Sequence, residues 1–410
     1  MIARSMQKRH FVRGNQTVKK LPKVIAFLAL TAYSGESFTG PNRTLSSRPL
    51  PTSMAPLSSS STSSSSLSNA VDTASATVGR TWSEDTKSRQ NALERCIVPL
   101  STSSYKGSSG RVGILGGSAR YTGAPYYAAM ASLKCGADLA FCFCAEEAAI
   151  PLKSYSPELM VAPVYKAVEF DKAIRRQQQK QQGDVKSEKL DEETEKLVEQ
   201  MVEEVCSMMD RMHVLVLGPG LGRCPLVLEA TARIIQRAQS QYHLPLVIDA
   251  DGLFLLTLPK YRENLLSNDS PVILTPNAME LKRLLAVNHN TESLPEQCWI
   301  IEKGAVDSIR PAASTSTTPT MTCGEIGGLK RSGGIGDVLA GTCGTLVAWN
   351  SILSGRGKAS SSDLPLACWT ACCFVKRSTK MAFEKHRRSM TAPDILHELG
   401  PVIDEMIGTT

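Results

Sequence analysis

With 410 residues, a hydrophobic fraction of 42% and an aromatic fraction of 5%, the chain has the composition of an ordinary globular protein long enough to bury a large core. Its formal net charge of +7 is no nucleic-acid footprint, because Arg4, Lys8, Arg9, Arg13, Lys19, Lys20 and Lys23 supply much of the excess and meet no acidic residue before Glu36. The twelve cysteines contain no CxxC pair and the six histidines no HExxH spacing, which argues against a structural metal and for thiols packed as small hydrophobes in a reducing compartment.

The chain opens on basic residues 1–23 and the apolar run 24–33 (VIAFLALTAY), which at about ten residues is too short for a stable membrane span but suits a signal-peptide core. Residues 34–68 are rich in Ser, Thr and Pro and almost free of acid, as transit peptides are. Together they resemble a bipartite plastid-targeting leader, with Phe38 where an aromatic residue often follows signal cleavage. A mitochondrial presequence, or a cytosolic protein started later at Met54, are the alternatives. We therefore expect a leader over 1–80 that takes no part in the fold, and one catalytic domain over 90–410 with a polar insertion at about 172–195. After that insertion Leu190, Leu197, Met201 and Val205 recur at helical spacing, predicting a solvated helix with too few heptads for a coiled coil.

From Gly110 onward, short Val/Ile-rich runs end in glycine or a small polar residue and lead into helical stretches. Strands are predicted at 111–115, 139–144, 214–217, 246–248, 272–274 and 299–302. Their near-continuous hydrophobicity means both faces are covered, as in a mostly parallel sheet between helix layers, with ligands beyond the carboxyl ends of the strands. The residues after each strand are therefore the ones to read. Gly116 and Gly117 form a turn free of side chains, and Gly123, Ala124 and Pro125 open a helix. The run Gly218-Pro219-Gly220-Leu221-Gly222 fails the dinucleotide fingerprint, since Arg223 stands where glycine is needed, but its place at a strand terminus favours a ligand contact over a plain turn. Asp249 and Asp251 follow the fourth strand. Asp249 is placed to face the site and hold Mg2+ through water, and Asp251 to cap the helix LFLLTL. Asn277 with Glu280 three residues on is a capping box, to which a substrate contact is added. Lys303 before Gly304 lets an ammonium approach phosphate, although a solvated turn lysine is as easily accommodated.

In Gly333-Gly334-Ile335-Gly336-Asp337, the glycines free backbone N–H groups at the start of a helix to make an anion hole. A carboxylate beside such a hole repels phosphate, so Asp337 makes chemical sense as the base that deprotonates an attacking hydroxyl. A capping aspartate is the competing reading, and the flanking glycines weigh against it.

GGIGDVLAG resembles the GxGD anion-hole motif of the ribokinase-like superfamily. GGSARYTGAPYYAA, KSYSPELMV, VLGPGLGR, VIDADGL, LTPNAMELKRL and KGAVD stand in the order found in the ATP-dependent NAD(P)H-hydrate dehydratases, a family that repairs hydrated NADH and NADPH. The resemblance implies a three-layer ribokinase-like α/β fold without a separate lid domain, and a carbon–oxygen lyase that phosphorylates the C6 hydroxyl of the hydrated nicotinamide ring and then expels phosphate. It assigns Asp337 as base and substrate contact, and Lys303, Gly304, Ala305, Val306, Asp307, Gly333, Gly334, Ile335 and Gly336 to ATP. It assigns Ala124, Gly220, Gly222, Asn277, Ala278, Met279, Glu280, Leu281, Lys282 and Arg283 to the hydrated dinucleotide. ATP as co-substrate, Mg2+ and a homo-oligomer are expected with it, and no nucleic-acid partner. Two departures stand out. The short polar stretch between Leu285 and Trp299 replaces a helix and leaves that flank of the sheet uncovered, and a Ser/Thr-rich loop over 311–320 stands in place of a tidy hairpin. A hydroxyl kinase of the same superfamily and a non-catalytic nucleotide-binding protein are the competing functions; TGAP, SPEL and GPGLGR in this order favour the dehydratase.

Overall fold

A computed structural model describes residues 79–181, 190–262, 264–287, 294–313, 316 and 318–408. Apart from Gly79 and Arg80 the expected leader lies outside these residues, as do 182–189 of the expected insertion and 288–293. Strands form at β1 (Arg111–Leu115), β2 (Leu139–Ala145), β3 (Met160–Tyr165), β4 (Val214–Leu217), β5 (Leu246–Ile248), β6 (Val272–Leu274), β7 (Cys298–Glu302), β8 (Asp307–Pro311) and β9 (Met321–Cys323). They make one sheet in the order β3-β2-β1-β4-β5-β6-β7-β8-β9, parallel through β7 and antiparallel for the last two.

Side chains alternate between the two faces, as a doubly covered sheet requires. Val112, Ile114, Val214, Val216 and Val247 enter the core shared with α1 (Thr86–Arg95), α2 (Gly123–Cys135), α9 (Ile335–Gly355), α10 (Leu364–His386) and α11 (Ala392–Ile407). Leu115, Leu215, Leu217, Leu246 and Ile248 enter the core on the other face, under α3 (Glu146–Tyr155), α4 (Ala167–Gln181), α5 (Glu192–Cys206), α6 (Pro225–Ser240), α7 (Ala250–Leu256) and α8 (Ala278–Val287). Each fully buried aliphatic side chain contributes about 1.5–3 kcal/mol through removal from water. All twelve cysteines are free, and all but Cys224 are buried among these hydrophobes.

Successive strands run outward from β1 in both directions, so the sheet changes winding between β1 and β4, where a crevice opens beyond the strand ends. Helix α9 is long and apolar enough to cross a membrane by length and composition, yet it runs through the core. It packs on α2, to which Ser132 Oγ donating to Gly341 O (3.2 Å) and Thr345 Oγ1 donating to Ser132 O (3.1 Å) fix it.

Four expectations are corrected. The helix after the insertion is not solvated all round: α5 buries Val198, Met201, Val202 and Val205 against α6 and β3, and much of the polar run before it is helix α4. β8 and β9 do pair as a hairpin across the Ser/Thr-rich segment, with Asp307 opposite Cys323 and Ile309 opposite Met321. The flank near 285–299 is covered, because Leu281, Leu284, Leu265 and Leu294 close over Cys298 and Ile300. Asp251 does not cap α7; it lies inside the first turn, and Asp249 occupies the cap position without a side-chain cap bond.

Candidate active site

The glycine-rich run before α9 sets the centre of the site. Gly334 is the N-cap in a left-handed conformation (φ 94°), and a Cβ there would lie 2.6 Å from Ala392 Cβ and 2.8 Å from Tyr127 Cδ2, so only glycine fits. The first intrahelical bond runs from Val338 N to Gly334 O (2.9 Å), and no side chain caps the helix. The amides of Ile335, Gly336 and Asp337 are left open at the positive end of a long helix, where an anion is favoured.

Behind them the strand ends bring charges together. Lys303, just past β7, places Nζ 2.8 Å from Asp249 Oδ1, just past β5, and Thr275 Oγ1 donates to the same oxygen at 2.8 Å. The pair abuts the helix start: a Cβ on Gly336 would stand 3.3 Å from Lys303 Nζ and 3.9 Å from Asp249 Oδ2. Burial works against the Lys303 ammonium, but Asp249 in direct contact, with Glu280 and Asp337 adding to it, holds its pKa above the ordinary lysine value. Asp337 is pushed from 3.8 up to about 7, first by burial, then by the like charge of Asp249 and more weakly by Glu280, against the opposing pull of Lys303.

Two cavities meet at this point. One, of about 620 Å3, is lined by Lys303, Gly304, Ala305, Val306 and Asp307, by Ile335 and Gly336, and by the loop 324–329. The other, of about 990 Å3, lies at the winding change of the sheet and is lined by the turns after β1 and β4, including Ser118, Tyr121, Ala124, Gly220, Gly222 and Arg223, and by Asp337. Neighbours in sequence, Gly336 and Asp337, thus belong to different cavities.

In the first cavity Lys376, from α10, donates to the carbonyls of Gly304 (3.0 Å) and Ala305 (2.6 Å) and lies 3.4 Å from Asp307 Oδ1. Gly304 N donates to the same Asp307 oxygen at 2.8 Å, so Asp307 and Lys376 lock the 303–307 turn from both sides. In the second cavity Asp251 accepts from Gly222 N (3.0 Å) and Arg223 Nε (2.9 Å), while the Arg223 guanidinium lies 4.1 Å from the Phe254 ring centroid. The carboxylate that the sequence suggested as a helix cap therefore fixes the glycine turn.

Of the residues singled out from sequence, Asp337, Lys303 through Asp307, Ile335, Gly336, Ala124, Gly220 and Gly222 line the two cavities. Gly333 is exposed and Gly334 is spent on the helix cap. Asn277 and Glu280 form the expected capping box, Oδ1 of Asn277 accepting from Met279 N and Glu280 N at 3.0 Å and Asn277 N donating to Glu280 at 2.9 Å. Ala278, Met279, Lys282 and Arg283 are exposed on α8, and Leu281 is turned into the core. Sequence reading missed Lys376, Arg331, Ser332, Tyr121, Arg223 and the role of Asp251. Lys376 did leave a signal, being the first charge after the uncharged run 364–375.

A nine-stranded, mostly parallel sheet between two helix layers, with an uncapped glycine-led helix, a carboxylate and a lysine close together beyond its strand ends, defines a ribokinase-like α/β fold. A Streptococcus mutans hypothetical protein shares this architecture at TM-score 0.55 and 21% identity, over 78% of this chain and 99% of that one. So does a Bacillus subtilis ADP/ATP-dependent NAD(P)H-hydrate dehydratase co-crystallised with ATP and Mg2+, at TM-score 0.52 and 18% identity, over 77% of this chain and 96% of that one. Residues 112–401 match the family model described as NAD(P)H-hydrate dehydratase, and the chain belongs to that family. Among its relatives, the ATP-dependent (S)-NAD(P)H-hydrate dehydratase of Batrachochytrium dendrobatidis is 38% identical over 77% of this chain and 98% of its own length. That of Pediculus humanus subsp. corporis is 35% identical over 74% and 93%.

Proposed function

We propose that this protein uses ATP to dehydrate (6S)-hydrated NADH and NADPH, restoring the reduced nicotinamide cofactors. The observation that carries the reading is the place of Asp337 at the junction of the two cavities: it lines one, while Ile335 and Gly336 just before it line the other. The first cavity suits ATP. Ile326, Leu329, Leu339 and Val375 offer apolar surface to a purine, and Lys303 and the α9 amides lie where phosphates end. The second, more voluminous cavity suits a dinucleotide.

Asp337, ionised above its raised pKa, accepts the proton of the C6 hydroxyl, and the freed oxygen attacks the γ-phosphorus as the bond to ADP breaks. The amides of Ile335, Gly336 and Asp337 and the Lys303 ammonium balance charge on the transferring phosphoryl. Hydroxide is a poor leaving group and phosphate a good one. The C6–O bond then breaks with the ring nitrogen's lone pair pushing, a C5 proton is lost, and the ring double bond returns. The balance is hydrated NADPH and ATP giving NADPH, ADP, phosphate and a proton: no free water forms, because the hydroxyl oxygen departs within phosphate.

Mg2+ with ATP would neutralise phosphate charge. Among the described residues no group of three or more His, Cys, Asp or Glu could hold a metal, so phosphate oxygens and water would supply most of its ligands. Asp249, with Oδ1 committed to Lys303 and Thr275, is suited to such an ion only through water. The exposed α8 residues Asn277, Ala278, Met279, Lys282 and Arg283 are proposed as outer contacts of the dinucleotide.

The test is an absorbance assay at the reduced-nicotinamide band on hydrated NADPH with and without ATP, with phosphate release followed in parallel. Recovery of absorbance matched by phosphate supports the lyase; a stable phosphorylated product without recovery makes the protein a hydroxyl kinase. The basic, Ser/Thr-rich leader supports delivery to a plastid, which a fluorescent fusion of residues 1–80 tests. Assembly as a homo-oligomer completes the proposal, and sedimentation of the catalytic domain tests it.

A further inference from the structure

The segment that precedes α1 runs against Val306 and Gly324, two residues that line the first cavity. Arg80 bridges Cys323 in parallel at the free edge of β9, Arg80 N donating to Thr322 O (3.3 Å) and Gly324 N to Arg80 O (3.0 Å). The two backbones touch: a Cβ on Gly79 would stand 2.7 Å from Gly324 Cα and 2.6 Å from Val306 Cγ1. Two residues on, Trp82 is only 2% exposed. Its ring stacks on Trp369 (centroids 5.6 Å apart, 19° between planes) and its Nε1 donates to Met406 O at 3.1 Å.

That anchored residue holds a charge of the nucleotide loop. Trp82 N donates to Glu325 Oε1 at 2.7 Å, and Glu325 Oε2 accepts from Arg377 Nε at 3.3 Å. Arg377 in turn donates to Ser83 Oγ at 2.7 Å, closing a ring through the N-terminal segment. Glu325 is buried, while Ile326 and Leu329 after it are 71% and 79% exposed and line the first cavity. The loop 324–329 therefore has little core packing of its own, and hangs from Glu325 at one end and from Gly328 N donating to Thr379 Oγ1 (3.1 Å) at the other. Gly79, Arg80, Trp82 and Ser83 do not line the cavity, so they act on it through this loop and, at Gly79, through Val306 of the 303–307 turn.

We propose that the strap 79–83 positions the nucleotide loop and thereby sets the affinity for ATP, with Trp82 as the principal positioning residue; this rests on reading the first cavity as the ATP site. Any maturation that removed the strap together with the leader would leave the catalytic centre intact and the nucleotide loop unheld. A strap that served stability alone would lower the melting temperature and leave the balance between the two substrates unchanged.

The experiment uses the full chain, with MgATP titrated calorimetrically in the absence of hydrated cofactor and with KM measured for both substrates. Trp82→Ala keeps the main-chain N–H but removes the ring that holds it against Glu325; a hydrogen bond to a carboxylate is worth roughly tenfold to a hundredfold in an equilibrium, which bounds what displacing that amide costs. Trp82→Ala, and Gly79→Ala whose methyl pushes the strap off Gly324 and Val306, are each expected to raise the Kd and KM for ATP by about tenfold while the KM for hydrated NADPH stays within about twofold. Trp82→Phe retains a ring to stack on Trp369 and gives up only the Nε1 bond to Met406, and is expected to recover most of the ATP affinity. If Trp82→Ala does not fold, Gly79→Ala, checked by circular dichroism, carries the test. A folded Gly79→Ala protein with ATP Kd within about twofold of wild type, or equal losses for both substrates, overturns the strap's role. Wild-type protein that turns over or binds hydrated cofactor yet takes up no ATP overturns the reading of the cavity itself, and the strap proposal with it.

Discussion

Acidification should switch this enzyme off well above the ordinary carboxylate range. Asp337 moves from 3.8 up to about 7 because burial and the neighbouring charge of Asp249 penalise its ionised form. The raised value means the base is available above about pH 7 and is lost as the pH falls through it. With a single ionisation at 7, about three-quarters of the enzyme is competent at pH 7.5, about a tenth at pH 6 and about one-hundredth at pH 5. kcat/KM for hydrated NADPH at fixed MgATP, measured from pH 5 to 9, should therefore show an acid limb of unit slope centred near 7. Asp249→Asn supplies the control. It removes a like charge from Asp337 and frees the Lys303 ammonium from its partner, and both changes favour the carboxylate, so the limb should move down by about one unit. The assay is the recovery of reduced-nicotinamide absorbance with buffers of constant ionic strength. A limb near 4 in the wild type, or a limb that rises in Asp249→Asn, would refute the electrostatic account of the base.

Three further outcomes follow from other contacts. Asp251→Ala releases Gly222 N and Arg223 together, and should raise the KM for hydrated NADPH by about tenfold while the KM for ATP is little changed, as steady-state kinetics with each substrate varied will show. Lys376→Met leaves Asp307 buried without its partner and two turn carbonyls without a donor; the KM for ATP should rise by more than about tenfold, and thermal denaturation should register a loss of about 2–4 kcal/mol. Gly334→Ala forces a methyl against Ala392 and Tyr127 at a left-handed φ, and the urea midpoint should fall by an amount equivalent to about 1–3 kcal/mol.

The central strands were legible because runs such as RVGIL and VLVL are buried on both faces and leave no polar position to confuse the pattern. β3 was not, since Pro163 in MVAPVY argues against a central strand and is tolerated only because β3 lies at the edge of the sheet. β8 and β9 escaped because DSIRP and MTC are too short and mixed to show a period, and only the register of Asp307 with Cys323 makes them a hairpin. The proposed base and the glycine-rich helix start beside it could be read because they are packed into consecutive residues, Gly333 to Asp337. Lys376 reaches Gly304 across 72 residues and Trp82 reaches Glu325 across 243, and no local pattern encodes contacts of that span. Asp251 shows a third reason. A carboxylate beside a helix start looks like a cap in sequence, and only the fold reveals that Gly222 and Arg223 from the next strand end hold it instead.

The most direct test of the account is a single-turnover measurement on Asp337→Asn with hydrated NADPH and MgATP, with calorimetric ATP binding on the same preparation. We expect ATP to bind with near wild-type affinity while absorbance recovery and phosphate release slow by about a hundredfold to ten-thousandfold, because the amides and Lys303 remain and only the proton acceptor is gone. An Asn variant that restores NADPH at close to the wild-type rate would contradict the assignment of Asp337 as the base.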